Sequence, residues 1–139
     1  MRTIKFRGKT HGNGKWYYGS LVYSNEINAA IYFQIGNGLV KRMDWVYVNP
    51  ETIGQFTGLI DKNGEWIYEG DIIKWDKDGL LYVVKFWKGK FYASVEECNE
   101  DILGGFPLHA LIYYEFGKCE IVGNIYDNPE LLKGMRNKK

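Results

Sequence analysis

Residues 63–73 read Asn63-Gly64-Glu65-Trp66-Ile67-Tyr68-Glu69-Gly70-Asp71-Ile72-Ile73. Every part of this stretch has a β reading. Asn-Gly is the dipeptide of a tight hairpin turn, because both central residues of that turn need positive φ. Trp66-Ile67-Tyr68 suits a pleated, half-buried surface. Gly70 interrupts the alternation, as a bulge or sharp bend does. Asp71-Ile72-Ile73 then reads as a strand entering a core. The same text occurs at 13–23, N-G-K-W-Y-Y-G-S-L-V-Y, once Glu69 is allowed as an extra residue. Asn13, Gly14, Trp16, Tyr18 and Gly19 then fall on Asn63, Gly64, Trp66, Tyr68 and Gly70.

A second pair follows in the same order: V-Y-V-N-P-E-T-I at 46–53 and I-Y-D-N-P-E-L-L at 125–132. Asn-Pro-Glu is a helix or turn start. Asn caps, Pro fits the first helical position, and Glu favours the helix N-terminus. One short turn of helix is therefore expected to close each unit. Two ordered matches point to two related β units, 1–56 and 57–132. The Asn-to-Asn span is 36 residues in the first and 65 in the second, so the second carries about 29 extra residues.

Outward from these pairs, Ile4–Arg7, 15–23, Ile31–Ile35 and Trp45–Val48 read as strands of the first unit, and Gly54–Gly58 as its link to the second. Trp66–Tyr68, Asp71–Trp75, Leu81–Trp87, Lys90–Val95 and Cys119–Tyr126 read as strands of the second. Lys77-Asp78-Gly79 and Lys88-Gly89 are its hairpin turns. Five short strands with tight turns suit a small barrel of the SH3-like kind. The fold class is all-β with minor short helices. Residues 96–116 hold the insertion: acidic at first, loop-like at Leu103–Pro107, then a strand or short helix over Leu108–Phe116. Residues 133–139 read as a disordered basic tail.

Composition agrees. The 139 residues include 11 Tyr, 5 Trp and 17 Gly but only 3 Pro, which favours many short strands over helices. No N-terminal apolar run reads as a signal peptide, and no stretch is apolar for the roughly 18 residues of a membrane span. Cys98 and Cys119 are the only cysteines and read as reduced thiols of an intracellular compartment. The net charge is +1, unevenly spread. Residues 1–25 sum to +5, residues 130–139 to +3 and the remaining 104 to −7.

The text at 54–75, G-Q-F-T-G-L-I-D-K-N-G-E-W-I-Y-E-G-D-I-I-K-W, resembles the signature of the YopX family of phage and prophage proteins. The opening Ile4–Lys9, the Gly14–Gly19 run and the closing Ile121–Leu132 are similar to it too. The resemblance covers nearly the whole chain outside 96–116. It implies a β-rich fold with an SH3-like C-terminal part, a gene carried by a phage or prophage, and hence a bacterial cytoplasm. It implies no activity and no site residues.

A search for chemistry yields nothing framed by a motif. His11 sits in a glycine-rich turn and His109 in an apolar run, and neither has a nucleophile at a recognised spacing. Cys98 and His109 could approach within the insertion, but a loop histidine and a buried thiol are the plainer reading. Two cysteines 21 apart with two distant histidines do not make a zinc site. Asp76-Lys77-Asp78-Gly79 lacks the later ligands of a calcium loop. Glu69, Asp71 and Asp76 read as solvated rim carboxylates. The expectation is a non-enzyme with no cofactor and no metal.

What remains is aromatic surface. Five tryptophans, with Trp45 among them, exceed what a small core needs. Trp16, Trp66, Trp75 and Trp87 are the candidate interaction surface. Such residues anchor protein interfaces. The expected role is a protein-interaction or self-assembly module, its partner a second copy or a host or phage protein, with no membrane. The alternative is a nucleic-acid-binding module, in which the basic ends meet phosphates and aromatics beside lysines (Trp16 by Lys15, Trp87 by Lys85 and Lys88) stack bases. The −7 body weighs against a long nucleic-acid groove.

Overall fold

The computed structural model describes residues 1–25, 27–95, 105–110, 112 and 118–136. Among the described residues the chain is mostly β, with two antiparallel sheets and a short terminal helix. It divides into two compact units, Met1–Phe56 and Thr57–Lys139.

The first unit contains β1 (Phe6–Lys9), β2 (Trp16–Tyr23), β3 (Ala29–Ile35) and most of β4 (Arg42–Ile60). The first half of β2 pairs with β1, from Lys9↔Trp16 to Phe6↔Gly19. Its second half pairs with β3, from Ser20↔Tyr32 to Tyr23↔Ala29. β3 pairs with β4 from Ala29↔Val48 to Ile35↔Arg42. Further along, β4 returns to β1 at Lys9↔Asn49, Arg7↔Gly54 and Phe6↔Gln55. The four strands thus close into a ring. Gly19 is the corner where β2 changes partner. A Cβ there would lie 2.0 Å from the Tyr32 carbonyl oxygen, so only glycine lets the two backbones approach. Inside the ring, Ala29, Ile31 and Val48 are buried, with Phe6, Tyr17, Leu21 and Phe33 packed around them. Alternate residues of each strand supply this core, as the pleat requires.

The second unit begins with the end of β4, which runs beside β5 (Trp66–Tyr68). Asp61, 5% exposed, organises the turn between them. Its Oδ1 accepts from Asn63 N (2.8 Å) and Glu65 N (2.9 Å), and its Oδ2 accepts from Ile121 N (3.0 Å). One carboxylate therefore holds the Asn63-Gly64 hairpin and the strand beside it. After Gly70, whose φ is 95°, the chain enters β6 (Asp71–Trp75). β7 (Leu81–Trp87), β8 (Lys90–Ser94), β9 (Gly105–Pro107) and β10 (Cys119–Asn124) follow, then α1 (Glu130–Arg136). The sheet order is β10-β6-β7-β8-β9. Ile67, Ile73, Tyr82, Val84, Leu108 and Cys119 form its main core. On the opposite face Leu131 and Leu132 of α1 pack against Ile72 and Val83.

Several expectations need correction. Residues 49–53 form no helix; they are strand within β4. Asn49 does accept from Glu51 N through Oδ1 (3.1 Å), as a cap would. Yet β4 pairs with β1 at Lys9↔Asn49 and Arg7↔Gly54, and the Thr52 Oγ1 between them accepts from Lys9 N (2.8 Å), so the segment is tied to β1 as strand. Only the second Asn-Pro-Glu starts a helix. Gly54–Gly58, expected as a link, is strand. Residues 133–136, expected as tail, belong to α1. Gly105–Pro107, expected as loop, pairs with β8 from Tyr92↔Pro107 to Ser94↔Gly105. Residues 96–104, 111, 113–117 and 137–139 of the expected insertion and tail lie outside the described residues.

Candidate interaction surface

The four nominated tryptophans have different fates. Trp75 is 7% exposed and packs against Tyr82 and Phe106, so it is core and not surface. Trp16 is half-buried in β2, with the Arg7 guanidinium 4.7 Å from its ring centre. Trp66, 42% exposed, opens β5. Trp87 is half-buried at the end of β7 beneath the Lys88 ammonium, at 4.7 Å. Trp16 lies in the first unit, and β5 and β7 are not neighbours in the second.

A more coherent surface is the outer face of β2, β3 and β4, and the register lays it out. Ser20, Tyr32 and Trp45 form one row across the three strands. Val22, Ala30 and Tyr47 form the next. Tyr18 precedes Ser20 on the same side, and Gln34 opposite Met43 extends the other end. None of these nine positions carries a charge. Trp45 and Tyr47 are 47% and 58% exposed, and Met43 60%. Tyr32 and Trp45 stack with centroids 6.1 Å apart, and Tyr47 meets Trp45 edge-on at 4.9 Å. Ala30, buried between the larger side chains, leaves a shallow floor. An uncharged face with this much exposed aromatic area is a candidate site of contact with another macromolecule. Its richness in Trp, Tyr and Met and its lack of charge are those of an interface core.

The titratable residues serve local structure. Asp71, expected at the solvated rim, is instead buried and accepts from Tyr68 N at 2.7 Å. Asp76 pairs with Lys62 at 3.0 Å. Asp78 accepts from the Tyr82 hydroxyl, and that contact together with burial holds the Tyr82 phenol well above its usual pKa, burial contributing most. Cys119 is a buried free thiol, pushed up to about 11 by burial and then by the charges of Asp61 and Asp76. His11 and His109 are exposed, and Cys98 lies outside the described residues. Among the described residues, no three His, Cys, Asp or Glu side chains are grouped to hold a metal ion.

The model of the YopX protein family matches residues 5–133. The chain belongs to the YopX family. A YopX relative from Bacillus subtilis (strain 168), described as an SPbeta prophage-derived uncharacterized protein, is 31% identical over 77 residues. That match covers 52% of this chain and 54% of the relative, so the chain spans about half the length of the curated relative it matches. The crystal structure of protein EF1440 from Enterococcus faecalis covers 95% of this chain, and 99% of its own chain is matched. The TM-score is 0.63 at 22% identity, which shows a shared fold. No helix among the described residues is long and apolar enough to cross a membrane.

Proposed function

We propose that this YopX-family chain is a non-enzymatic, phage- or prophage-encoded protein of the bacterial cytoplasm that works by binding another protein, and that its second unit is an SH3-like barrel. One observation carries the interaction reading: nine contiguous outward positions on β2, β3 and β4 without a charge, centred on the Tyr32–Trp45–Tyr47 ring cluster. Three aromatic rings left half in water favour a partner that covers them, since burying apolar area gains roughly 25 cal/mol per Å². Asp61 and Asp71 bind backbone donors, which supports a structural and not a catalytic use of the buried acids. The prophage origin of the Bacillus subtilis relative supports the genetic setting.

The test pairs the wild-type chain with a Trp45→Glu/Tyr47→Glu variant in a pull-down from induced host lysate. Both side chains point outward, so circular dichroism is expected to be unchanged. The wild type is expected to retain a discrete protein that the variant loses. If both retain the same proteins, or neither retains any, the face is not the contact surface.

A further inference from the structure

The β7–β8 hairpin carries a second surface of different chemistry. Its register sets Lys85 opposite Tyr92 and Trp87 opposite Lys90. Directly opposed residues share a face of the sheet. The four side chains therefore form a checkerboard, with aromatics on one diagonal and cations on the other. Trp87 and Tyr92 meet edge-on, with centroids 5.5 Å apart. Lys88, in the turn, lays its ammonium over the Trp87 ring. Among the described residues, none of the three lysines pairs with a carboxylate.

The turn itself is unusual for this chain. Lys88 has φ 44°, the only non-glycine residue with positive φ among the described residues. At Asn13-Gly14, Asn37-Gly38, Asn63-Gly64 and Asp78-Gly79 the glycine alone has positive φ, so the two-positive-φ hairpin turn expected of Asn-Gly is formed instead by Lys88-Gly89, where Gly89 has φ 85°. Asn and Asp tolerate the left-handed region, and a long side chain does so at a cost. A lysine in that position, against the general preference of this turn for Asn or Asp, points to a use for its charge.

We propose that this hairpin face is a binding platform for a short stretch of single-stranded nucleic acid. The pattern matches that ligand on both counts. A base stacks on the Trp87 ring while Lys88 swings from the ring to a phosphate, and Lys85 and Lys90 flank the path of the backbone. An acidic polypeptide would use the lysines and leave the aromatics idle. A duplex would hide its base faces from Trp87. Residues 57–139 hold 11 basic and 14 acidic residues, so the attraction is local and the strand contacted is short.

The experiment titrates the full-length protein against a fluorescein-labelled oligothymidine, following anisotropy from low to physiological salt. Three phosphate contacts predict a slope of log K on log salt of about −2 for a single strand. Trp87→Ala is expected to weaken binding roughly tenfold or more, and Trp87→Phe much less. Lys88→Asn is the decisive variant. It restores the preferred turn residue and should raise Tm, yet it should lower affinity and reduce the slope by about 0.7. No binding at low salt overturns the proposal. So does binding that Lys88→Asn and Trp87→Ala leave unchanged, or binding that polyglutamate displaces as well as unlabelled oligothymidine does.

Discussion

Cys119 shows what burial does to one group. Its thiol is enclosed by the core of the second unit, and burial raises its pKa from 9.0 to about 11. The sign of the effect on stability follows. The unfolded thiol ionises from about pH 9, the folded one only near pH 11, so its contribution is complete below pH 9 and is lost across that window. A two-unit shift corresponds to a loss on the order of 2–3 kcal/mol by pH 11. Urea melts at rising pH are expected to show the decline, and Cys119→Ala should flatten it between pH 9 and 10, above which the parallel loss from the Tyr82 phenol, whose unfolded pKa is 10.0, continues. This residue was legible in the sequence only as a reduced thiol. Its neighbours Asp61 and Asp76 come from the turns that follow β4 and β6, distant in sequence, and no local pattern announces them.

At the level of the element, strands bounded by turns on both sides were legible. Trp66–Tyr68, Asp71–Trp75 and Leu81–Trp87 begin and end where the alternation and the glycine turns place them. β4 is legible only at Trp45–Val48, because it runs 19 residues through Pro50. A proline inside a strand needs a bulge or an edge. Here the register against β1 jumps from Lys9↔Asn49 to Arg7↔Gly54, and Pro50 sits in the slack. The local signal for a cap was real, since Asn49 makes the capping bond; the neighbouring strand decided the outcome. The stitch at Asp61 is likewise invisible in sequence, as one of its three bonds reaches across 60 residues. Asp61→Ala should cost about 2–4 kcal/mol, because it strands three backbone donors. Asp61→Asn should cost less, since one amide oxygen still accepts from the hairpin. Denaturant titration of the two variants checks the order.

For the whole molecule, the all-β class and the antiparallel arrangement could be read from turn chemistry and composition. The interaction surface could not. An excess of tryptophan in the sequence does not distinguish Trp75, which is core, from Trp45, which is exposed. Trp45 gains its meaning only when three strands come into register and set Tyr32 beside it and Ala30 nearby. The molecule also has little charge to keep its copies apart, at +1 and an isoelectric point near 7.7. Weak self-repulsion and an apolar face together predict a solubility minimum close to that pH. Turbidity of concentrated samples should peak there, and the Trp45→Glu/Tyr47→Glu variant should shift the peak to lower pH and reduce it.

The closed ring of the first unit has a temporal consequence. β1 leaves the ribosome before β2, β3 and β4, yet it is the stave between β2 and the far end of β4, so Phe6 must wait for Gln55. Hairpin contacts between neighbouring strands form early, because the loops they close are short. The last seam joins chain segments some 50 residues apart, and contacts of that separation slow folding. Until that seam closes, β1 and β4 each offer an open edge to other nascent chains. The interval between synthesis of Phe6 and its pairing with Gln55 is the period in which this unit is most exposed to misassembly.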